Sequence, residues 1–564
     1  MSSESYSSET AGLIASAQRL SSGVDRKAFT PWQSIGSLLS DRSHEADQAS
    51  WLTWYREGKR AGAWTRAEFF DLASRLAHAL HSRLNLAVGS RIGTLMANDP
   101  DTVLVYFAAW IAGMCVVPVN AGEEEDNAAF VLENAEAAAV FVLPSQLDRA
   151  RRLMARLPAV GRWIIAGPAT GDLESLTDLL NAPPANLPEV PKTAEALIVY
   201  TSGTTGAPKG VVLDQADLLN DALSIADWHG FTSRDRAFCI LPIHHVNGVV
   251  VTLMTPLVSG GSVVLNDRFR AHTFWYTLRH EHCTWASVVP TVLAFLCAQP
   301  RLYKRSTPSV LRHVICGAGP LTTGLAKQFH DLFGVRVVHG YGLSETTCYS
   351  CFLPPLLDEN AYVHWMFECG FPSIGCAISA NDMAIHNAAG EEQPEDERGE
   401  IVVRGANVMQ CYYKRPQANA DAFAHGWFRT GDEGFWRPGP DGSPYYFITG
   451  RIKELIIRGG VNYSPFDIDE VLATVPGVKA AMAVGFDNDF YGEEIGAYVQ
   501  PEEPGSLTEQ DVIIWCRERL PFAKCPKVVV FGETFPVTST GKYQRIKLKP
   551  LFEQWKSTQF KAAG

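Results

Sequence analysis

The chain has 564 residues and a net charge of −12 at pH 7, more length than one hydrophobic core normally spans, so two or more domains are expected. Hydrophobic residues at 46% and charged residues at 20% describe a globular chain and exclude a disordered one. The acidic balance disfavours nucleic acid or an anionic membrane surface as a bulk partner.

Residues 1 to about 30 are rich in Ser and Glu without clear periodicity, and read as a loose arm or a short surface helix. No apolar leader stands in this region, no peroxisomal address closes the chain, and the 12 cysteines are too sparse for a disulfide scaffold, which together suggest the cytoplasm. From Pro31 to about Pro191, helix-like stretches such as Ala67 to Leu84 alternate with β-branched runs at Arg91–Leu95, Cys115–Val117 and Ala138–Val142. The alternation predicts βα units around a parallel sheet. The uncharged run of 18 residues from Thr102 to Val119 is interrupted by Gly113 and Pro118, and reads as a buried helix turning into a strand rather than as a membrane span.

The apolar segment Ala194 to Val199 runs into Tyr200-Thr201-Ser202-Gly203-Thr204-Thr205-Gly206-Ala207-Pro208-Lys209-Gly210. A strand opening into such a turn lets backbone N–H groups and hydroxyls approach a polyphosphate, with Lys209 adding a point charge. The alternative is a flexible linker. It is not the P-loop pattern, because Pro208 precedes the lysine and no Ser or Thr follows it. The βα rhythm then resumes, with strands predicted at Ala237–Leu241, Ser262–Leu265, Trp285–Val289, Val310–Cys316 and Val335–His339. From about Gly399 short strands predict an antiparallel subdomain, and beyond Arg451 a small α+β domain follows. The expected architecture is thus a large N-terminal domain of doubly wound βα sheets with a small antiparallel β subdomain, over residues 31–450. A small mobile C-terminal domain over residues 451–564 completes it.

Several further segments suit a nucleotide site. Cys316-Gly317-Ala318-Gly319-Pro320 and His339-Gly340-Tyr341-Gly342-Leu343-Ser344-Glu345 end neighbouring strands. Side-chain-poor backbone there admits a flat ring, Tyr341 can stack on it, Ser344 can donate to a phosphate, and Glu345 is a hard oxygen ligand for Mg²⁺. Pro242-Ile243-His244-His245-Val246-Asn247-Gly248 opens an apolar helix, where His245 by itself could be an ordinary helix-start residue. Lys542, after a glycine turn near the C-terminus, is by residue type a solvated surface charge. Cys348 and Cys351 form a CxxC, but Cys369 and Cys376 are spaced too widely downstream to complete a zinc site, so with Tyr349 the thiols are read as pocket wall.

In their order these motifs closely resemble the acyl-adenylating superfamily of acyl-CoA synthetases, luciferases and peptide-synthetase adenylation domains. The resemblance runs over roughly residues 30 to 550. It implies that Thr201, Ser202, Gly203, Thr204, Thr205, Gly206 and Lys209 bind the phosphates. Gly317, Ala318, Gly319, His339, Gly340, Tyr341, Gly342 and Ser344 would hold the adenosine end, and Glu345 the magnesium ion. Trp427 to Asp432 matches the ribose motif, with Asp432 accepting from the sugar hydroxyls. Gly450 to Gly460 matches the hinge motif, with Arg451 near ribose or phosphate and Lys453 as pivot; many relatives carry Asp where Gly450 stands. Lys542 matches the mobile catalytic lysine and His245 the carboxylate end of the acyl pocket, with Val246, Asn247, Ser287 and Tyr349 as wall residues. The implied enzyme is an AMP-forming acid:thiol ligase using ATP, Mg²⁺ and coenzyme A, with an aryl or fatty acid as substrate. The alternative is an adenylating enzyme that serves a carrier protein, an amine or another nucleophile.

Overall fold

The computed structural model describes residues 5–44, 50–171, 173–183, 189–201, 208–304, 310–537 and 543–560, and the backbone of Arg305. Two large sheets dominate it. In one, the strands Arg336–Tyr341, His313–Cys316, Trp285–Val288, Arg236–Cys239, Ser262–Asn266 and Ser50–Arg56 are parallel neighbours, with antiparallel strands at both edges. In the other, Glu195–Thr201, Cys115–Asn120, Arg91–Met96, Ala139–Val142 and Arg162–Ile165 run parallel in that order. Burial on both faces explains why these strands read as near-continuous apolar runs. A four-stranded antiparallel sheet spans Asn381 to Arg451, and a small domain has its own five-stranded, mainly antiparallel sheet between Ile456 and Phe531.

The helix Arg66–Ser82 begins at a capping box in which Thr65 and Glu68 satisfy each other's backbone amides. The suspect apolar run becomes the helix Pro100–Ile111, buried from Thr102 onward, followed by the strand Cys115–Asn120. Phe107 and Trp110 on that helix stack edge-on in an aromatic core with Trp51 and Phe69. Among the described residues, no helix is long and apolar enough to cross a membrane.

The N-terminal segment is not a loose arm. Ser8–Ala17 is a helix that buries Ile14 and Ala17, and Gln18 Nε2 donates to the carbonyls of Val408 and Met409 at 3.2 and 3.0 Å. Further on, the Arg26 guanidinium forks onto Asp214 at 2.9 Å and reaches Asp217 at 2.5 Å. Those two carboxylates form the capping box of the helix Gln215–His229 and are almost wholly buried. Their partner lies far away in sequence, which is why a local pattern could not reveal it.

Candidate active site

The phosphate-loop segment sits at the tip of a hairpin. Glu195–Thr201 pairs antiparallel with Lys209–Asp214, and Thr201 faces Lys209 across the ladder. The returning strand was not foreseen. Ser202, Gly203, Thr204, Thr205 and Gly206 lie outside the described residues. Across the hairpin, the strand Cys411–Tyr412 pairs with Val211 and Val212. This places the Tyr412 ring under the Lys209 ammonium, 4.6 Å from nitrogen to ring centroid. The Tyr412 hydroxyl donates to Glu345 Oε1 at 2.8 Å. Burial, reinforced by the Glu345 charge, raises the Tyr412 phenol far above its ordinary range, so it stays a donor. Lys209 and Glu345, expected to share one nucleotide site, thus flank one tyrosine that sequence reasoning missed. No motif marks Tyr412; its role comes from strand pairing across the hairpin.

Glu345 belongs to the single turn Ser344–Thr346. Among the described residues its Oε2 carries no hydrogen bond, and no cluster of three or more metal-binding side chains occurs. Such a set suits a magnesium ion held by one carboxylate and by substrate phosphates.

The two predicted adenine segments end adjacent parallel strands, with Cys316 beside His339. Their glycines are fixed by the chain's own packing. A Cβ on Gly317 would lie 2.5 Å from Tyr349 Oη, one on Gly340 2.3 Å from Phe352 Cδ1, and one on Gly342 2.1 Å from the Cys348 carbonyl oxygen. Ala318 takes a left-handed φ of 64° between Gly317 and Gly319. His339 is buried with its Nδ1 3.0 Å from the Ser373 carbonyl, and burial lowers it to about 4, so it is neutral at pH 7.

Tyr341 donates its hydroxyl to Asp432 Oδ2 at 2.7 Å, and Arg451 Nε lies 3.2 Å from Asp432 Oδ1. Asp432 and Arg451 are cross-strand partners, so the ribose motif and the start of the hinge motif meet through the ladder itself. The Asp432 charge, with smaller contributions from Glu454, Tyr341 and Glu345, outweighs burial and holds Arg451 above its ordinary range.

On the acyl side, the His244 and His245 rings lie 4.3 Å apart. His245 accepts the first helical amide, from Val249, and burial lowers His244 to about 4. Asn98 braces this segment: it receives the Ile243 amide at 2.9 Å and donates to the carbonyls of Leu241 and Asn266 at 3.0 Å. A cavity of about 340 Å³ opens at these strand ends, between Asn98, Asn120, His244, Asp267, Phe269 and Phe295. Val246, Asn247, Ser287 and Tyr349 are all buried, and the last three are joined by hydrogen bonds. All 12 cysteines are buried and outside any disulfide, and burial raises the Cys376 thiol to about 12.

Lys453 is exposed in the turn Ile452–Glu454. Gly459 and Gly460, with φ of 60° and 80°, make the two-residue turn between Ile456–Arg458 and Val461–Tyr463, where both central residues need left-handed backbone. Lys542 lies outside the described residues. Tyr543, next to it, pairs with Val537 and lines a small interdomain cavity with Thr322 and His339. The small domain touches the large one through Glu470, which accepts the Thr323 amide at 3.1 and 3.2 Å, and through Asp467, 2.9 Å from Arg398.

The fold and these motifs define an adenylate-forming type of enzyme, and residues 44–413 match the AMP-binding enzyme family while residues 467–542 match the AMP-binding enzyme C-terminal domain. The chain belongs to this family. The sulfoacetate–CoA ligase of Cupriavidus necator is 33% identical over 469 residues, covering 83% of this chain and 89% of that protein. The oxalate–CoA ligase of Arabidopsis thaliana is 31% identical over 494 residues, covering 85% and 92%. ATP-bound MatB from Rhodopseudomonas palustris has a TM-score of 0.81 at 26% identity, covering 93% of this chain and all of that one. The curated relatives are named for acid–CoA ligation, the class of reaction expected of this sequence.

Proposed function

We propose that this protein joins a carboxylic acid to coenzyme A through an acyl-adenylate. A carboxylate is a poor acyl donor because oxide would have to leave. Its oxygen therefore attacks the α-phosphorus of ATP and expels pyrophosphate, after which a thiol sulfur attacks the acyl carbon and expels AMP. The observation that carries this reading is the Lys209–Tyr412–Glu345 group at the tip of the phosphate hairpin. It sets a cation and a hard carboxylate side by side, where a triphosphate needs both.

In this scheme Lys209 and the loop from Thr201 to Gly206 orient the phosphates, while Asp432 and Arg451 orient the ribose. His245 lies at the carboxylate end, and Lys542 neutralises the charge that develops at the α-phosphate. Glu345 would hold magnesium, which when bound offsets the negative charge of the phosphates. The large domain is assigned residues 31–450 and the mobile one residues 451–564, turning about Lys453 so that Lys542 withdraws and Gly459–Gly460 faces the thiol. A cytoplasmic site of action accords with the use of ATP and coenzyme A.

The test is pyrophosphate and AMP release from the purified protein with magnesium and a panel of acids, with and without coenzyme A. Acid-dependent pyrophosphate, with thioester only when coenzyme A is present, is expected. Transfer to a carrier protein or amine in place of coenzyme A would favour the alternative acceptor. Formation of ADP would overturn the scheme.

A further inference from the structure

The strand Cys411–Tyr412 is two residues long and forms the outer edge of its eight-stranded sheet. An edge strand this short has little hold of its own, yet it carries Tyr412 and bridges the two charged groups at the phosphate hairpin. On its inner side, Gln410 and Tyr413 donate their amides to the carbonyls of Val212 and Gly210, on the strand of Lys209, at 2.9 and 2.7 Å. Just before it, the Met409 amide donates to the backbone carbonyl of Glu345 at 2.8 Å. The placement of residues 409–413 therefore fixes where Lys209 and Glu345 stand relative to each other.

The N-terminal segment takes the outer side, in place of another strand. Gln18 Nε2 donates to the carbonyls of Val408 and Met409. Both residues are wholly buried, so losing Gln18 would cost their carbonyls a partner where water is excluded. Asn419, also wholly buried, accepts the Tyr412 amide at 2.7 Å and divides its Nδ2 hydrogens between the carbonyls of Tyr412 at 2.9 Å and Ser5 at 2.7 Å. The Lys414 amide donates to Ser5 Oγ at 3.2 Å. Gln410 Nε2 donates to Asp217, 3.0 Å away, one of the two carboxylates paired with Arg26. The helix between these contacts has a fitted seat, since a Cβ on Gly426 would lie 2.8 Å from Ser16 Oγ. Ser5, Gln18 and Arg26 all precede the match to the AMP-binding enzyme family, which begins at residue 44.

We propose that the segment from Ser5 to Arg26 is a positioning element of the nucleotide site, and that Gln18 is the positioning residue that sets Glu345 for the metal-bound triphosphate. The inference rests on the adenylation reaction proposed above and adds to it a part that the motifs do not include. Gln18 acts through the backbone of Met409 on the Glu345 turn, while Ser5 acts through Asn419 on Tyr412, whose hydroxyl holds the Glu345 carboxylate. A change at Gln18 should therefore alter how well the metal–nucleotide complex is held and leave the acid and the thioester step alone.

The experiment is calorimetric binding of ATP to the full-length protein, once with magnesium in excess and once with a chelator, in the absence of any acid. Gln18→Leu keeps the volume and removes the donor. It should weaken binding of the magnesium complex roughly 3- to 10-fold and leave binding of metal-free ATP unchanged. In pyrophosphate release, the free magnesium needed for half-maximal rate should rise by the same factor, with the KM for the acid unmoved. Gln18→Lys, which restores a donor, should recover most of the loss. Ser5→Ala removes only the acceptor of the Lys414 amide at the margin of the segment, and should weaken the magnesium complex by a smaller factor of about 2. A purely structural role predicts a lower binding stoichiometry and kcat with every affinity unchanged, and that result would overturn the inference while leaving the reaction standing. If Gln18→Leu does not fold, Ser5→Ala decides alone, and affinities equal to those of the unmodified protein overturn the inference. Equal binding of ATP by the unmodified protein with and without magnesium would remove the metal role of Glu345 and the inference with it. Binding of neither form would overturn the adenylation reading as well.

Discussion

Asp432 and Arg451 pair across adjacent strands, and Asp432 is 3% exposed with both carboxylate oxygens engaged. Just beyond, Ile452 is 41% exposed, Lys453 stands in solvent, and Gly459 and Gly460 have no atom within 4 Å of where their side chains would be. One motif thus begins in a rigid ladder and ends in an unencumbered turn. The groups assigned to nucleotide binding are fixed by sheet register and buried hydrogen bonds. Those assigned to movement sit on a domain that meets the large one through polar contacts such as Glu470 with Thr323 and Asp467 with Arg398. Rigid positioning and exchange of posture would make opposite demands on packing, and in the proposed scheme the chain separates them within a few residues.

Breaking the fixed side should have the largest effect. Arg26→Ala leaves Asp214 and Asp217 buried without their cation, which should cost about 3–5 kcal/mol, read as a lower denaturation midpoint. Next, on the side proposed to move, Lys542→Ala should slow adenylate formation by roughly 10²–10³-fold yet still convert supplied acyl-adenylate to thioester. Equal loss of both steps would dissolve the division between a fixed and an exchanging half.

Tyr412→Phe tests the link between Lys209 and Glu345. Hydrogen bonds to charged groups contribute about 1.5–3 kcal/mol, so thermal stability should fall measurably, and adenylation should fall roughly 10- to 100-fold under conditions where the variant stays folded. The smallest effect concerns the contact between the domains. Burial raises Glu470 from an ordinary 4.5 to about 7, although the Thr323 amide opposes the shift. A carboxyl raised in the docked form favours docking when protonated; that contribution is full below about pH 4.5 and is lost as pH rises through about 7. Distance measurements between labels on the two domains should therefore show the docked population falling across this range. Glu470→Gln should flatten the dependence.

How much of this was legible in the sequence follows the same division. The strands at Arg91–Met96, Cys115–Asn120, Arg236–Cys239 and Trp285–Val288 announced themselves, because strands buried on both faces are apolar throughout. The glycine-rich segments were legible because close backbone approach restricts residue choice locally. Tyr412, Asn98 and Arg26 were not, since each acts through partners brought near only by the fold. The antiparallel strand Lys59–Thr65 also escaped notice; its Lys-Arg-Ala-Gly-Ala sequence lacks β-branched residues and takes strand form by pairing with Ser50–Arg56. Ser287, Asn247 and Tyr349 were seen only as candidate residues, because the hydrogen bonding among them depends on three separate elements converging.

The most direct test follows oxygen through the first step. With an accepted acid labelled with ¹⁸O in its carboxylate, together with ATP, magnesium and coenzyme A, one labelled oxygen should appear in the phosphate of the AMP produced. Label in pyrophosphate or inorganic phosphate, or AMP formed without label, would contradict attack of the carboxylate on the α-phosphorus.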